Sequence, residues 1–335
     1  MESQRTVEYH NDVPYSDYSS LNTLNVCVPA QPSAHGKSRV WVVYIHGGAW
    51  RDPLITASSF TKTQSILLSS SISDSIAGLA TLNYRLSPHP NHPWKSDTDR
   101  TARNAKHPDH INDILDALAF LQRKYRFGDR YVLAGHSCGA MLALQVAMSR
   151  SWSADGPAPI KVGVKKQVMP PLAVLGLEGL YDLPALVEYH ASRPHGDIYT
   201  AFTNGAFGSD VHVWKAVSPT SADWTADVVQ GWDNGRVAVL AHSHEDELVE
   251  WEQVALMQKA LQEGGWQEGE GGKEKGRELV MLTLEGTHHG VWEEGTEVAR
   301  AIAVAVEKVI GLEGGNMEVQ KGDGGQSRGL EAHDP

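Results

Sequence analysis

Cysteine is nearly absent from this chain of 335 residues, which contains only Cys27 and Cys138. Two thiols in apolar strand-like or turn contexts do not form a disulfide framework. The first residues, MESQRTVEYHNDVPYSD, are polar and acidic and lack the basic and apolar regions of a secretory signal, so we expect no such signal. The sequence therefore predicts a protein of the reducing cytoplasm.

Long apolar runs and an excess of positive charge are also missing. No stretch approaches the roughly 20 apolar residues that a membrane-spanning helix needs. The formal net charge is −12, with 41 acidic and 29 basic residues, and charge of this sign repels nucleic acids and anionic membranes. We therefore expect neither of them as the main partner and predict a small-molecule substrate instead. The oligomeric state stays open, a homodimer included.

Short runs of apolar residues recur along the chain and indicate strands. Because these runs are continuous rather than alternating, they are typical of a mostly parallel sheet with helices on both faces. Helical patterns lie between them, over residues 109–125, 251–261 and 296–310. This alternation predicts a doubly wound α/β fold, whose ligand site lies outside the carboxyl ends of the strands. The predicted strands are 24–28, 40–45, 77–84, 131–135, 172–177, 237–242 and 279–284.

One α/β domain is predicted over residues 1–310, with no internal repeat. Within it, 178–232 has no clear strand–helix alternation and contains several aromatic residues, so we interpret it as a small cap over the site. The Gly/Glu-rich stretch 263–278 is predicted to be a flexible insert. The polar segment 311–335 buries too little apolar surface to offset its chain entropy, and a disordered tail is expected there.

The stretch YVLAGHSCGAMLALQVA, residues 131–147, contains the first candidate for chemistry. Here Gly135, Ser137 and Gly139 form a G-x-S-x-G pattern between a buried strand and a helix. A tight turn in that context exposes the serine above the sheet, and the start of the helix adds positive potential where negative charge would develop. The pattern alone is weak, but its place between strand and helix predicts Ser137 as a nucleophile rather than a structural turn.

A serine nucleophile needs a base and an acid, which in this fold class follow it in the order acid, histidine. Asp246 comes after the strand VAVLAH, at the position best placed to leave the strand end, and is favoured over its neighbours Glu245 and Glu247. His288 and His289 come after the strand LVMLTL. Adjacent loop histidines generally point in different directions, and the pattern alone does not separate these two.

The HGGAW motif lies after an early strand and is predicted to stabilise an oxyanion. Attack on a carbonyl puts negative charge on its oxygen, and backbone N–H groups can approach it only where side chains are absent. We assign this role to the N–H groups of Gly48 and Ala49, joined by that of Cys138 just after the nucleophile. The residues of the motif are His46, Gly47, Gly48, Ala49 and Trp50.

Five segments together resemble the arylformamidase (kynurenine formamidase) family of α/β-hydrolases in its fungal form, over about residues 40–310. They are YIHGGAWRDP, NYRLSPHPNHP, GHSCGAMLALQ, GLYDLPAL and GTHHGVW. The resemblance implies an α/β-hydrolase fold, no cofactor, and a serine hydrolase that cleaves N-formyl-L-kynurenine to L-kynurenine and formate.

The family pattern also implies Ser137 as nucleophile, Asp246 as acid, and a histidine before an x-x-Val/Ile step. That step favours His288, three residues before Val291, over His289. The doubled histidine and the insert at 263–278 depart from the family pattern.

The histidine-rich segments and Cys138 allow other functions. The segments HSHEDE, HPNHP and GTHH suggest metal ligands, but none has helical H-x-x-x-H spacing, and we expect no metal. Cys138 as nucleophile has no independent base pointing to it. A carboxylesterase of broad specificity would use the same apparatus and is the main alternative. A non-catalytic binding protein on this fold would usually lack one triad residue, and here all three positions are filled.

Overall fold

The described part of the chain is organised around one mixed sheet of nine strands. A computed structural model describes residues 6–29, 39–148, 168–222, 224, 232–269 and 276–322. The strands are β1 (Val7–Pro14), β2 (Thr23–Pro29), β3 (Val40–Ile45), β4 (Ile76–Leu82), β5 (Tyr131–His136), β6 (Ala173–Leu177), β7 (Val237–Ser243), β8 (Gln267–Glu268) and β9 (Glu278–Leu284). Their order is β1-β2-β4-β3-β5-β6-β7-β9-β8. The pairs β1–β2 and β2–β4 are antiparallel, and the other neighbouring pairs are parallel.

The central strands are buried along their whole length, which explains their continuous apolar sequences. Every residue of β3, β5 and β7 is buried. Successive side chains of a strand point to opposite faces. Val43 and Leu133 therefore pack in one apolar core, whereas Val42 and Val132 pack in a second one. A sheet with a core on each face must be covered by helices on both sides.

Helices cover both faces of the sheet. They are α1 (Thr61–Ser69), α2 (Asp97–Ala102), α3 (Asp109–Tyr125), α4 (Cys138–Ala147), α5 (Leu183–His190), α6 (Gly196–Phe207), α7 (Val211–Val217), α8 (Trp251–Glu263), α9 (His288–Glu294) and α10 (Thr296–Gly322). Ile114 of α3, Met141 of α4 and Met257 of α8 belong to the first core. Leu67 of α1 and Ile302 of α10 belong to the second. Within the described ranges, no helix has both the length and the apolar character to cross a bilayer.

The elements predicted from apolar patterns are found close to their predicted bounds. Each of the seven predicted strands occurs with its ends within two residues, and α3, α8 and α10 begin at the predicted residues. The strands β1 and β8 were not predicted. β1 is a largely exposed edge strand with a polar sequence, and β8 is only two residues long, so neither carries an apolar pattern to detect.

Three segments, predicted as a tail, a cap and an insert, contain regular elements in the structure. The helix α10 continues to Gly322, whereas a disordered tail was predicted from 311; residues 323–335 of that tail lie outside the described part. A helix whose apolar face is already packed extends at low cost because each further residue adds one internal hydrogen bond. In the range predicted as a cap, the structure has α5, α6 and α7. In the predicted insert it has β8, and 270–275 are not described.

Candidate active site

Ser137 lies at the sharp turn between β5 and α4, with φ 55° and ψ −123°. This backbone conformation is strained for a residue with a side chain, and such strain concentrates at functional sites. Both flanking glycines are required by close packing. A Cβ atom at Gly135 would clash with the backbone of Gly139, and one at Gly139 would clash with the backbone of Ile45. The G-x-S-x-G pattern is therefore dictated by the space around the turn.

Asp246 follows β7 and has a fully buried side chain. Its Oδ1 accepts the N–H groups of Leu248 and Val249 at 2.9 and 2.8 Å. Its Oδ2 lies 2.8 Å from Nδ1 of His288. One oxygen thus fixes the carboxyl group to its own loop, and the other is held against the histidine.

The neighbouring acids Glu245 and Glu247 are exposed. Oε2 of Glu247 accepts the backbone N–H of His288 at 3.1 Å, so this residue contacts the main chain of the histidine and not its ring. Of the three candidate acids, the structure therefore brings only Asp246 to the imidazole of His288.

His288 is the first residue of α9, whose start is capped by the Thr287 hydroxyl accepting the N–H of Gly290 at 3.1 Å. The side chain of His288 is buried, whereas His289 is exposed. Their ring centres are 5.8 Å apart. Entry into the helix turns the two side chains in different directions, and His288 is the one that contacts Asp246.

The loop after β3 has an unusual left-handed run of three residues. Gly48, Ala49 and Trp50 have φ values of 99°, 48° and 59°. The N–H groups of Arg51 and Asp52 both donate to the carbonyl of Gly48 at 2.9 Å and close the turn. Within the described ranges, the N–H groups of Gly48 and Ala49 donate to no backbone oxygen. The N–H of Ala49 is directed to Sγ of Cys138, a weak acceptor that an oxyanion can replace.

This loop packs directly against the turn that holds the serine. A Cβ atom at Gly47 would lie only 2.9 Å from Nδ1 of His136 and 3.1 Å from Cβ of Ser137. The N–H of Trp50 donates to Sγ of Cys138 at 3.3 Å. Residues predicted to supply oxyanion donors, Gly48, Ala49 and Cys138, are therefore brought together beside Ser137.

His46 and Tyr84 support the loop from below. The hydroxyl of Tyr84 donates to the carbonyl of His46 at 3.0 Å, and the two rings stack with centres 4.6 Å apart. Burial lowers the pKa of His46 to about 4, so its ring is neutral. Burial also raises the pKa of the Cys138 thiol to about 11. A thiol held protonated is a poor nucleophile, which argues against Cys138 in that role.

A cavity of about 570 Å³ opens above these residues. It contains the side chains of Ser137 and His288, and Trp292 of α9 also lines it. The helices α5 and α6 supply much of the rest of its wall. The residues from these two helices that line it are Tyr189, His190, Ile198, Tyr199 and Phe202. The site is therefore a pocket with an aromatic wall, large enough for a bicyclic or substituted aromatic molecule.

Glu178 and His136 form a buried pair that the sequence did not reveal. Glu178 follows β6, is completely buried, and its Oε2 lies 3.1 Å from Nε2 of His136 and 3.6 Å from Nδ1 of His288. Burial, with the nearby charges of Asp246 and Glu247, raises the pKa of Glu178 to about 10, so it is protonated at neutral pH. Burial lowers the pKa of His136 well below its ordinary value.

The ligand-type atoms of His136, Glu178 and His288 lie within 4.8 Å of one another, a spacing that could hold a metal ion. However, Nδ1 of His288 is also the atom 2.8 Å from Asp246. A metal at this place would compete with that contact. The absence of a metal requirement stays a prediction from the sequence.

A second pair that was not predicted from the sequence attaches the cap helices to the loop that carries Asp246. Nε2 of His190 lies 3.0 Å from Oε2 of Glu250, and the His190 ring stacks on Tyr199 with centres 3.5 Å apart. The hydroxyl of Tyr199 donates to the carbonyl of Leu248 at 2.7 Å. Burial raises the pKa of Glu250 to about 7. No short-range motif marks these residues, because their partners are distant in sequence.

Solved structures of similar fold include several esterases. Esterase B from Lactobacillus rhamnosis is 16% identical with a TM-score of 0.67, covering 94% of this chain and 90% of that one. An esterase from Pyrobaculum calidifontis is 18% identical with a TM-score of 0.58, covering 92% and 86%. At this level of identity the likeness concerns the fold. The predicted fold class is confirmed: the protein has the α/β-hydrolase fold.

Sequence relatives narrow this class. The BD-FAE family model matches residues 28–261. The kynurenine formamidase-like hydrolase fscH of Fusarium equiseti is 37% identical over 311 residues, which are 90% of this chain and 95% of the relative. The kynurenine formamidase avaC of Aspergillus versicolor is 33% identical over 302 residues, 85% and 95% of the two chains. The chain therefore belongs to the BD-FAE family and to the kynurenine formamidase family.

Proposed function

We propose that the protein hydrolyses the formamide bond of N-formyl-L-kynurenine and releases L-kynurenine and formate. The observation that carries this proposal is the contact between His288 and Asp246 on the wall of a cavity that also holds Ser137 and the oxyanion loop. The family membership supports the choice of substrate. The aromatic wall of the cavity suits the aryl ketone of this substrate.

The chemistry would proceed in two acyl-transfer steps. Oγ of Ser137 attacks the formyl carbon while Nε2 of His288 takes the hydroxyl proton. The N–H groups of Gly48, Ala49 and Cys138 stabilise the oxyanion of the tetrahedral intermediate. Collapse breaks the carbon–nitrogen bond, and His288 gives its proton to the leaving aromatic amine. A formyl-serine ester remains.

Water then completes the cycle. His288 removes a proton from a water molecule that attacks the formyl-serine carbonyl, and returns it to the serine oxygen as formate leaves. Asp246 holds the imidazole in the tautomer with its proton on Nδ1 and offsets the positive charge that develops. Because the formyl group is small, specificity arises on the amine side, toward the cap helices.

The first test replaces the proposed nucleophile. Ser137→Ala should reduce kcat for N-formyl-L-kynurenine by a factor of about 10³ or more, because residual catalysis comes only from binding and the oxyanion donors. A p-nitrophenyl acetate assay is run beside it. Wild-type protein that hydrolyses the ester but not N-formyl-L-kynurenine would favour a broad carboxylesterase, and protein that hydrolyses neither would favour a non-catalytic binding role.

The second test separates the adjacent histidines. His288→Ala should abolish formamide hydrolysis, since Nδ1 of His288 lies 2.8 Å from Oδ2 of Asp246. His289→Ala serves as the matched control and should retain most of the activity, since its side chain is exposed. Both variants are compared by kcat at the same pH. The reverse pattern would transfer the role of base to His289.

Three further points stay predictions from the sequence. They are the cytoplasmic location, the absence of nucleic acid or membrane as a partner, and the oligomeric state, with a homodimer as one possibility. Cys27 and Cys138 are both buried free thiols, which is compatible with a reducing compartment.

A further inference from the structure

Arg51 directly follows the oxyanion loop and lies on the wall of the cavity above Ser137. Its side chain is half-buried, and its guanidinium carbon lies 5.7 Å from the centre of the Phe202 ring. Among the residues that the structure describes, none accepts a hydrogen bond from this guanidinium or forms an ion pair with it. A cation with five N–H donors thus faces the cavity without an acceptor.

Such an arrangement has a physical cost that a ligand can remove. Burial lowers the pKa of Arg51 from its ordinary value, yet an arginine remains charged at neutral pH. A partly desolvated charge without hydrogen-bond partners is unfavourable, and a planar guanidinium is well matched to a carboxylate. The adjacent Asp52 directs its Oδ1 to the N–H of Leu54 at 2.9 Å. The unmet donors of Arg51 therefore favour an anionic ligand.

His89 supplies a second donor on the same wall. Its Nδ1 accepts the N–H of Asn91 at 3.1 Å, which leaves the ring proton on Nε2. Burial and the positive charge of Arg51 lower the pKa of His89. The ring is therefore neutral at pH 7 and can donate through Nε2. Arg51 and His89 line the same cavity.

The remaining charges of the cavity direct an anion toward Arg51. Asp246 and Glu247 contact His288 and would repel a carboxylate at that end of the cavity. Asp52, which follows Arg51, also lines the cavity, but its Oδ1 accepts the N–H of Leu54. Arg193 is the other arginine on the wall, but its Nε already donates to the carbonyl of Tyr189 at 2.9 Å, and its guanidinium lies 3.7 Å from the centre of that ring. Of these two arginines, Arg51 is the one whose guanidinium donates no hydrogen bond to the described residues.

We propose that Arg51 and His89 form a subsite for a carboxylate on the amine side of the substrate. In N-formyl-L-kynurenine this group is the α-carboxylate, separated from the formamide by the aromatic ring and its ketone side chain. The inference rests on the proposed function, because Ser137 defines where the formyl carbon lies. Arg51 is a substrate-binding residue in this proposal and takes no part in proton transfer.

The test compares a substrate with the carboxylate and one without it. Arg51→Gln should raise KM for N-formyl-L-kynurenine about 10- to 100-fold, the range expected for a lost charged hydrogen bond, with little change in kcat. KM for formanilide, which has the formamide but no carboxylate, should stay within about twofold. Arg51→Lys should recover part of the lost affinity because it restores the charge but not the planar fork.

Arg193→Gln is the matched control, since it removes one positive charge from the same cavity. The fold-increase in KM for N-formyl-L-kynurenine that it causes should be less than about a third of the fold-increase caused by Arg51→Gln. Equal fold-increases in KM for the two variants would overturn the subsite, because the substrate would then respond only to the total positive charge of the cavity. An equal loss on both substrates in Arg51→Gln would also overturn it, because Arg51 would then act through the oxyanion loop.

A separate readout distinguishes failure of this inference from failure of the proposed function. The carboxylate 4-oxo-4-phenylbutanoate is used as an inhibitor of formanilide or p-nitrophenyl acetate hydrolysis. Weaker inhibition of Arg51→Gln than of wild type supports the subsite even if N-formyl-L-kynurenine is not turned over. Equal inhibition of both proteins overturns it, whatever the natural substrate.

Discussion

At the scale of single residues, the site contains two carboxyl groups near one imidazole with different surroundings. Oδ1 of Asp246 receives two backbone N–H groups, and its Oδ2 faces His288. Glu178 is completely buried, and its Oε1 has no hydrogen-bond partner among the described residues. Hydrogen bonding favours the ionised form of a carboxyl group, and burial without it favours the neutral form. Glu178 is thus a neutral group placed beside the contact between Asp246 and His288.

The protonated state of Glu178 predicts a pH-dependent cost in stability. Its pKa is raised to about 10 in the folded protein, so folding must hold a proton that the unfolded chain releases above about pH 4.5. This lowers the free energy of unfolding by up to about 1.4 kcal/mol for each pH unit between these two values. Glu178→Gln, which mimics the protonated acid, should remove this slope.

Urea unfolding of wild type and Glu178→Gln at pH 5, 6.5 and 8 measures this difference. The free energy of unfolding of the variant should increase relative to that of the wild type as pH rises. Parallel pH dependence of the two proteins would mean that Glu178 is ionised in the folded state, with His136 as its charged partner.

At the scale of elements, the turn between β5 and α4 depends on close contact with β3. A Cβ atom at Gly139 would clash with the carbonyl of Ile45 and lie 2.7 Å from the carbonyl of His46. Gly139→Ala should therefore destabilise the protein by about 3 kcal/mol, the upper part of the range for overpacking a core. It should also reduce activity, because β3 leads into the oxyanion loop.

Gly205→Ala in α6 is the control for this substitution. Apart from its chain neighbours and the backbone of its own helix, no atom of the described residues lies within 4 Å of a Cβ built at Gly205. Alanine there should therefore be neutral or stabilise by up to about 1 kcal/mol. Thermal unfolding of the two variants gives the comparison. Similar melting temperatures would show that the turn adjusts to a methyl group without strain.

The elements also explain what the sequence could reveal. Ser137, Asp246 and the HGGAW loop were predictable because each follows a buried strand whose apolar run marks where it ends. His288 could not be separated from His289 by pattern, since only the turn into α9 directs one ring to Asp246. Glu178 also follows a strand, but its partner His136 is 42 positions away in the sequence, and a single acid after a strand is not a motif.

At the scale of the whole molecule, titratable groups with shifted pKa values have opposite effects on how stability depends on pH. Among the described residues, a group of histidines has a lowered pKa with burial as the main cause, and two acids have a raised one. The histidines are His46, His89, His107, His110, His136, His190 and His242. The acids are Glu178 and Glu250. The histidines outnumber the acids, and this imbalance sets the response to acid.

The free energy of unfolding should therefore be greatest near pH 6.5. Below that pH the unfolded chain binds protons at histidines that the folded protein keeps neutral, so stability falls toward pH 4, by about 3 kcal/mol for His46 alone. Above it the histidines are neutral in both states and contribute nothing, while Glu178 continues to lower stability up to its pKa of about 10. Since domains are stable by only about 5 to 15 kcal/mol, the acid limb should end in unfolding above pH 3. Urea unfolding from pH 4 to 9 checks this curve, and stability that rises steadily from pH 6.5 to 9 would contradict it. In the Glu178→Gln variant the alkaline limb should flatten. The acid limb should become steeper, because the decrease in stability with pH that Glu178 causes no longer offsets the increase caused by the histidines.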